Sequence, residues 1–172
     1  GQPDGYADDI LIHKDKNPNT LGVKQLKADV KPFAALVDDV RKGIVTHAIA
    51  LGGATPGDAA ADTEALRSLA ALVTIAAHEG PLTAAAGVVL PACAWAETSG
   101  SYVNYKGMRQ VADKAVEPLG SSKAGWLQIA SLAQAMGLEP TWSKLKEIRG
   151  RLVSAGGLSQ VDSNEAAPAP AE

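Results

Sequence analysis

Asn104, Lys106, Arg109 and Gln110 crowd amide, ammonium and guanidinium groups into one short stretch. Such groups hold a bound molecule by directed hydrogen bonds, which makes this the most ligand-like cluster in the chain; a subunit interface needs the same groups. A second candidate is Gly52-Gly53-Ala54-Thr55-Pro56-Gly57-Asp58, at the C-terminal end of a predicted strand. Open α/β sheets bind ligands where strand ends and helix N-termini converge, and backbone N–H groups of such a loop can hold a phosphate or a nucleotide edge. Its spacing is not GxGxxG and no acidic residue is placed for a ribose. A tight connection between strand and helix is the simpler reading.

Cys93 lies in Leu90-Pro91-Ala92-Cys93-Ala94-Trp95, among small and apolar neighbours and with no histidine close in sequence. A nucleophilic or redox-sensing thiol needs a cationic or basic neighbour, so Cys93 reads as a buried small hydrophobe. Glu97, Asp113 and Glu117 form no recognisable acid/base pair and read as solvated or ion-paired surface groups. No residue is assigned a catalytic role.

Composition narrows the chemistry further. One cysteine precludes an intrachain disulfide, and His13, His47 and His78 are too scattered to match a ligand spacing. Structural zinc and iron–sulfur sites ask for three or four soft ligands, so no metal site is expected. A net charge of −3, with 16 basic and 19 acidic residues intermixed, argues against a nucleic-acid binder. No apolar run reaches the roughly 20 residues of a membrane span, and the N-terminus is not a signal peptide. The expectation is a soluble intracellular domain without direct membrane insertion. Because the chain opens on Gly1 and not on Met, it reads as a fragment or a processed product.

These groups need elements to position them. Residues 1–8 read as irregular, Ile10–Ile12 as a short strand, and Asp15–Gly22, dense in turn-forming residues, as a surface loop. Phe33, Leu36, Val37 and Val40 recur at helical spacing, behind Pro32 in the first turn and ahead of Gly43 as a C-cap. Ile44–Leu51 is nearly all apolar without alternation, as in a strand buried on both faces of a parallel sheet. Asp62 could cap a helix through Ala65, Leu66 and Leu69. Leu72–Ala76 reads as a second buried strand, Pro81–Ala86 as a helical turn, and Val88–Leu90 as a third strand stopped by Pro91.

Strand and crossover alternating at these intervals is the βαβ signature, and the 32 alanines suit helices lying flat on a sheet. Beyond Pro91 a short helical piece over Ala92–Glu97 is followed by Ser101–Tyr105 and Arg109–Val116, which flank Lys106-Gly107 as a hairpin or an extended excursion. Trp126, Ile129, Ala130 and Ala133 stripe one closing helix, stopped at Gly137. Leu145, Ile148 and Leu152 stripe another, begun by Ser143 or Thr141. The expected fold is α/β: a Rossmann-like three-layer domain over residues 9–153, with a mostly parallel sheet, a hairpin-like excursion and two C-terminal helices. A disordered Ala/Pro tail spans 154–172.

Val88-Val89-Leu90-Pro91-Ala92-Cys93-Ala94-Trp95-Ala96-Glu97, followed by Gly100-Ser101-Tyr102-Val103-Asn104-Tyr105-Lys106-Gly107 and Gln110, resembles the molybdopterin oxidoreductase superfamily. Ala115-Val116-Glu117-Pro118-Leu119-Gly120 and the helix with an early Trp126 continue the likeness. Within that superfamily the chain looks most like the C-terminal part of the subunit-G type of respiratory NADH:quinone oxidoreductase (complex I). Tyr102-Val103-Asn104, Gly137-Leu138-Glu139-Pro140, Leu145–Leu152 and Asp15–Gly22 carry that narrower likeness.

The resemblance implies a Rossmann-like layer inherited from molybdenum enzymes and serving as scaffold, with no cofactor in this chain. It places the family's iron–sulfur clusters in an N-terminal region that this sequence lacks. It also implies partners in other parts of the same subunit and in other peripheral-arm subunits, at residues 98–118 in particular. The location implied is cytoplasmic, peripheral to the inner membrane. Two departures weigh against catalysis. Met108 stands where the family has arginine, with Arg109 one position displaced, and Ala54-Thr55-Pro56 replaces an Asn-Pro. Asn104, Arg109, Gln110, Gly52 and Gly53 are then a vestigial pterin-site-like or interface set. Two rivals remain: a fragment of a formate-dehydrogenase-like catalytic subunit contacting molybdopterin, and a free-standing small-ligand domain built on the Gly52–Asp58 loop.

Overall fold

The computed structural model describes residues 5–8, 14, 19–25, 31–55, 60–140 and 142–154. The expected strand at Ile10–Ile12 and the tail beyond Ser154 lie outside them. The elements run α1 (Thr20–Gln25), α2 (Phe33–Arg41), β1 (His47–Leu51), α3 (Ala60–Arg67), β2 (Ala71–Ala76), α4 (Pro81–Ala85) and β3 (Val88–Pro91). A 3-10 turn over Trp95–Glu97, β4 (Gly100–Val103), β5 (Arg109–Ala112), α5 (Gly125–Ala135) and α6 (Leu145–Ser154) complete them. Strands β1, β2 and β3 form a parallel sheet in that order, and β4 and β5 an antiparallel pair. The α/β class and the hairpin are as expected.

Residues paired in register share a face of the sheet. Ala48 and Ala50 therefore lie beside Leu72 and Thr74, and Thr74 beside Val89. Helices α2, α3 and α4 cover this face: Val40, Leu66, Leu69, Leu72 and Leu82 form one buried cluster, against which Phe33, Leu36, Ala48, Ala50 and Ala85 pack. Burying each Leu contributes about 1.5–3 kcal/mol, and the small alanines let the helices lie close to the strands. Thr74 is wholly enclosed there, and its Oγ1 donates to the Leu82 carbonyl at 3.4 Å. Ile75 points to the other face and is still 3% exposed, with α5 packed on β2. α5 thus opens a second helical layer on that face.

Several expectations need correction. The Ile44–Leu51 run is not buried on both faces: burial alternates along β1, where Ile49 and Leu51 are exposed, and Ile44 ahead of it is exposed too. As the outer strand of the sheet among the described residues, β1 has helices against one face only. Pro91 ends the third strand but is included in it. It lacks only a donor, and its carbonyl accepts from Lys123 N at 3.2 Å while Ala92 N donates to Ala76 O at 2.9 Å. Asp62 does not cap α3 but sits inside it, its Oδ1 accepting from Arg41 Nη2 at 3.2 Å. Pro32 is the N-cap of α2 and not part of its first turn.

The turn-rich Asp15–Gly22 is not simply a surface loop. From Thr20 it becomes α1, which packs on β4 with Gly22 buried. Asn19 takes φ +66°, and its Oδ1 accepts from Val103 N at 2.8 Å. A Cβ on Gly22 would run into the Asn19 side chain and reach the Val103 methyl at 3.3 Å, so glycine is required. Residues 15–18 lie outside the described ones.

Candidate functional site

At the C-terminal ends of β1 and β2, two loops close on each other through glycines. Gly53 O accepts from Leu82 N at 2.9 Å, and Gly52 N donates to Ile75 O at 2.9 Å. A Cβ on Gly53 would collide with the His78 carbonyl, and one on Gly80 with the Gly53 carbonyl. Gly52 takes φ +99°, a left-handed conformation that favours glycine. Gly52 and Gly53 therefore serve first as the joint between two strand-end loops. Pro56, Gly57 and Asp58 lie outside the described residues. Beside this joint, Ala76, His78, Glu79, Gly80, Thr83 and Val89 line an open depression of about 590 Å³. His78 and Glu79 carry no sequence signal beyond following a strand.

The hairpin residues are engaged within the hairpin itself. Asn104 Oδ1 accepts from Lys106 N at 3.0 Å and from Met108 N at 2.9 Å, and the backbone of Asn104 pairs with Met108 and Gly107. Gly107, at φ +82°, completes the reversal. The Lys106 ammonium stands 5.6 Å from the centre of the Tyr105 ring, a cation–π contact. Arg109 Nη2 lies 3.5 Å from Ser101 Oγ across the strand pair, and Gln110 is exposed. Met108, at the position of the family's arginine, is exposed as well.

Cys93 is half-buried and not enclosed. With Glu97, Ser99, Lys114, Ser122, Lys123 and Trp126 among its neighbours, it lines a cavity of about 430 Å³ beside the start of α5. The lysines escape a reading of the sequence because only folding brings residues 93, 114 and 123 together: Cys93 N donates to Lys123 O at 2.9 Å. Of the three candidate carboxylates, Glu97 caps the 3-10 turn, its Oε2 accepting from Ala94 N at 2.9 Å. Glu117 pairs with Lys114 at 2.7 Å, and Asp113 is exposed. Gln128 is a missed positioning residue: 6% exposed, it donates from Nε2 to Pro91 O at 2.6 Å and ties α5 to the end of β3.

Among the described residues no three of His, Cys, Asp and Glu gather closely enough to hold a metal ion. No described helix is long and apolar enough to cross a membrane.

The family model for molybdopterin oxidoreductase matches residues 21–135, from α1 through the hairpin to the end of α5. The chain belongs to the molybdopterin oxidoreductase family. It is 32% identical to the subunit-G component of the NADH-quinone oxidoreductase of Rickettsia typhi over 163 residues, 88% of this chain and 23% of that protein. Over 83 residues it is 40% identical to the corresponding component of Rickettsia bellii, covering 48% of this chain and 12% of that protein. The chain thus spans less than a quarter of the length of these curated relatives.

The family implies a pterin cofactor, and the geometry tests whether Asn104, Arg109, Gln110, Gly52 and Gly53 fit one. Asn104 serves its own turn, and Gly52 and Gly53 serve the loop joint. None of the five lines the depression at the strand ends, nor does any line the cavity at Cys93. Asn104, Gly52 and Gly53 are thus already engaged within the fold.

Proposed function

We propose that this chain is a structural, cofactor-free α/β segment of a subunit-G-like protein of a respiratory NADH-quinone oxidoreductase, supporting electron transfer from NADH to quinone without carrying electrons. The observation that carries this reading is Asn104. Its amide oxygen, part of the most ligand-like cluster in the sequence, holds two backbone amides of its own turn. In this reading iron–sulfur clusters belong to another region of the parent subunit. The segment contacts the rest of that subunit and neighbouring peripheral-arm subunits, on the cytoplasmic side and peripheral to the inner membrane.

The competing reading, a piece of a molybdopterin-dependent catalytic subunit, draws on the open depression beside His78 and Glu79. One preparation separates the two: the chain, tagged at its native gene, is purified with whatever it assembles with and assayed for molybdenum and for oxidised pterin fluorescence. We expect co-purification with NADH-quinone oxidoreductase activity and molybdenum far below one atom per chain. Stoichiometric molybdenum and pterin would replace the scaffold with the catalytic fragment.

A further inference from the structure

We propose that the face of the β1–β2–β3 sheet turned away from α2, α3 and α4 is a docking surface for an apolar helical layer supplied by the remainder of the parent subunit. This rests on the reading that the chain is part of a subunit-G-like protein. The register sets the surface out. Ile49, Val73 and Val88 lie side by side in one row, and Leu51, Ile75 and Leu90 in the next. Ile49 is 54% exposed, Leu51 67% and Val88 50%. Between them Ile75 is only 3% exposed, and Val73 and Leu90 are half-buried. Single exposed apolar side chains are ordinary, but three on one face of a parallel sheet call for a cover.

Topology explains why the chain leaves it open. Crossovers between parallel strands are right-handed, so two that advance in the same direction across a sheet fall on the same face. Here α3 and α4 both do, sharing one core. Parallel sheets are nevertheless covered on both faces, so the second layer has to come from other chain. α5 supplies the part against β2 and, through Gln128, the end of β3, and still leaves Ile49, Leu51 and Val88 exposed.

The occupant follows from chemistry and length. The two rows contain no charged side chain, and the only polar one on the same face of β1 is His47, whose Nδ1 is 2.9 Å from Thr46 Oγ1. An apolar sheet face of this kind matches the apolar face of helices and offers nothing to an ionic ligand. The relatives extend far beyond the matched part, since 163 aligned residues are only 23% of the Rickettsia typhi protein. More than three-quarters of such a subunit is therefore available to supply the missing layer.

Thiol labelling tests the surface in the assembled protein. In a Cys93→Ser background, Ile49→Cys, Val88→Cys and, on the exposed side of α3, Glu64→Cys are introduced into the tagged protein expressed from its native gene. Each is labelled with a maleimide before and after denaturation. We expect both sheet positions to react at least about tenfold more slowly than Glu64→Cys in the native assembly, and all three equally once unfolded. Equal native rates in a protein that still co-purifies with the oxidoreductase would overturn the surface and leave the scaffold reading intact. Protection that fades on dilution of a protein associated only with itself would make the occupant a second copy. Absence of any associated subunit region would overturn both.

Discussion

The β1–β2–β3 sheet and the β4–β5 hairpin are close in sequence yet held by different forces. Leu72, Ile75, Leu66 and Leu82 are each exposed by 6% or less, and the sheet's loops meet backbone to backbone through Gly53 and Gly80. In the hairpin strands only Val103 reaches that degree of burial. There the work passes to polar groups: Asn104 within the turn, Asn19 from α1 to Val103, and Arg149 Nη2 from α6 to Gly100 O at 3.3 Å. Apolar packing is non-directional and spread over many contacts, whereas each hydrogen bond is local. The sheet should therefore resist single polar substitutions and yield to a cavity, and the hairpin the reverse.

The largest effect is expected in the sheet's core. Leu66→Ala removes a side chain that is 2% exposed and belongs to the core cluster shared with residues of α2, α4 and β2. Urea unfolding should show a loss of about 2–5 kcal/mol, registered by sheet and hairpin alike if they unfold together. A hairpin that keeps its stability in this variant would separate the two regions into independent units. Next comes Gly80→Ala, whose Cβ meets the Gly53 carbonyl and can be relieved only by moving backbone. A loss of about 1–3 kcal/mol is expected. Gly87→Ala, with its nearest neighbour at 4.0 Å, is the control and should change stability little.

The same contrast explains what could be read from the sequence. Phe33, Leu36, Val37 and Val40 repeat at helical spacing, and Leu72–Ala76 is an unbroken apolar run, because packing of a buried element leaves its period in the chain. β1 is equally apolar in sequence, but apolar side chains record a partner without saying whether this chain supplies it. The polar devices leave no such record. Asn19 and Val103 are separated by 84 positions, Gln128 and Pro91 by 37, and neither pair has a period. Asn104 is visible as a polar residue in a turn, yet its type alone does not distinguish holding a ligand from holding Lys106 and Met108. Only the direction of its Oδ1 decides.

A medium-sized effect on the hairpin would sharpen this point. Asn104→Ala leaves the amides of Lys106 and Met108 without their acceptor, while Asn104 remains exposed enough for water to replace part of it. The expected cost is about 1–2 kcal/mol, confined to the hairpin. Amide hydrogen exchange should quicken at Lys106, Met108 and along β5, with Val73 and Ile75 unchanged. A residue kept for a bound ligand would instead leave those amides protected when replaced in the isolated chain.

The smallest effect lies at the start of α6, on the half-buried Glu147. Glu147 Oε2 accepts from Ser143 N at 2.6 Å and from Lys144 N at 3.1 Å, and these backbone donors hold its carboxyl below the ordinary carboxylate range. Burial opposes the shift, while the Lys144 charge and the Ser143 hydroxyl add to it. Since the folded carboxyl is the stronger acid, its stabilising contribution is complete above the ordinary value for glutamate. It disappears as pH falls through the depressed value, where the folded protein must also take up the proton. Glu147→Gln should therefore loosen the first turn of α6 at neutral pH and match the parent in acid. Exchange of the Ser143 and Lys144 amides across that range measures it. Because α6 reaches β4 through Arg149 and Gly100, the acid-induced loosening should spread to the hairpin before the parallel sheet, whose core contains no titrating group. Simultaneous loosening of both would mean that the polar ties transmit as much as the packed core does, and the division between the two regions would fail.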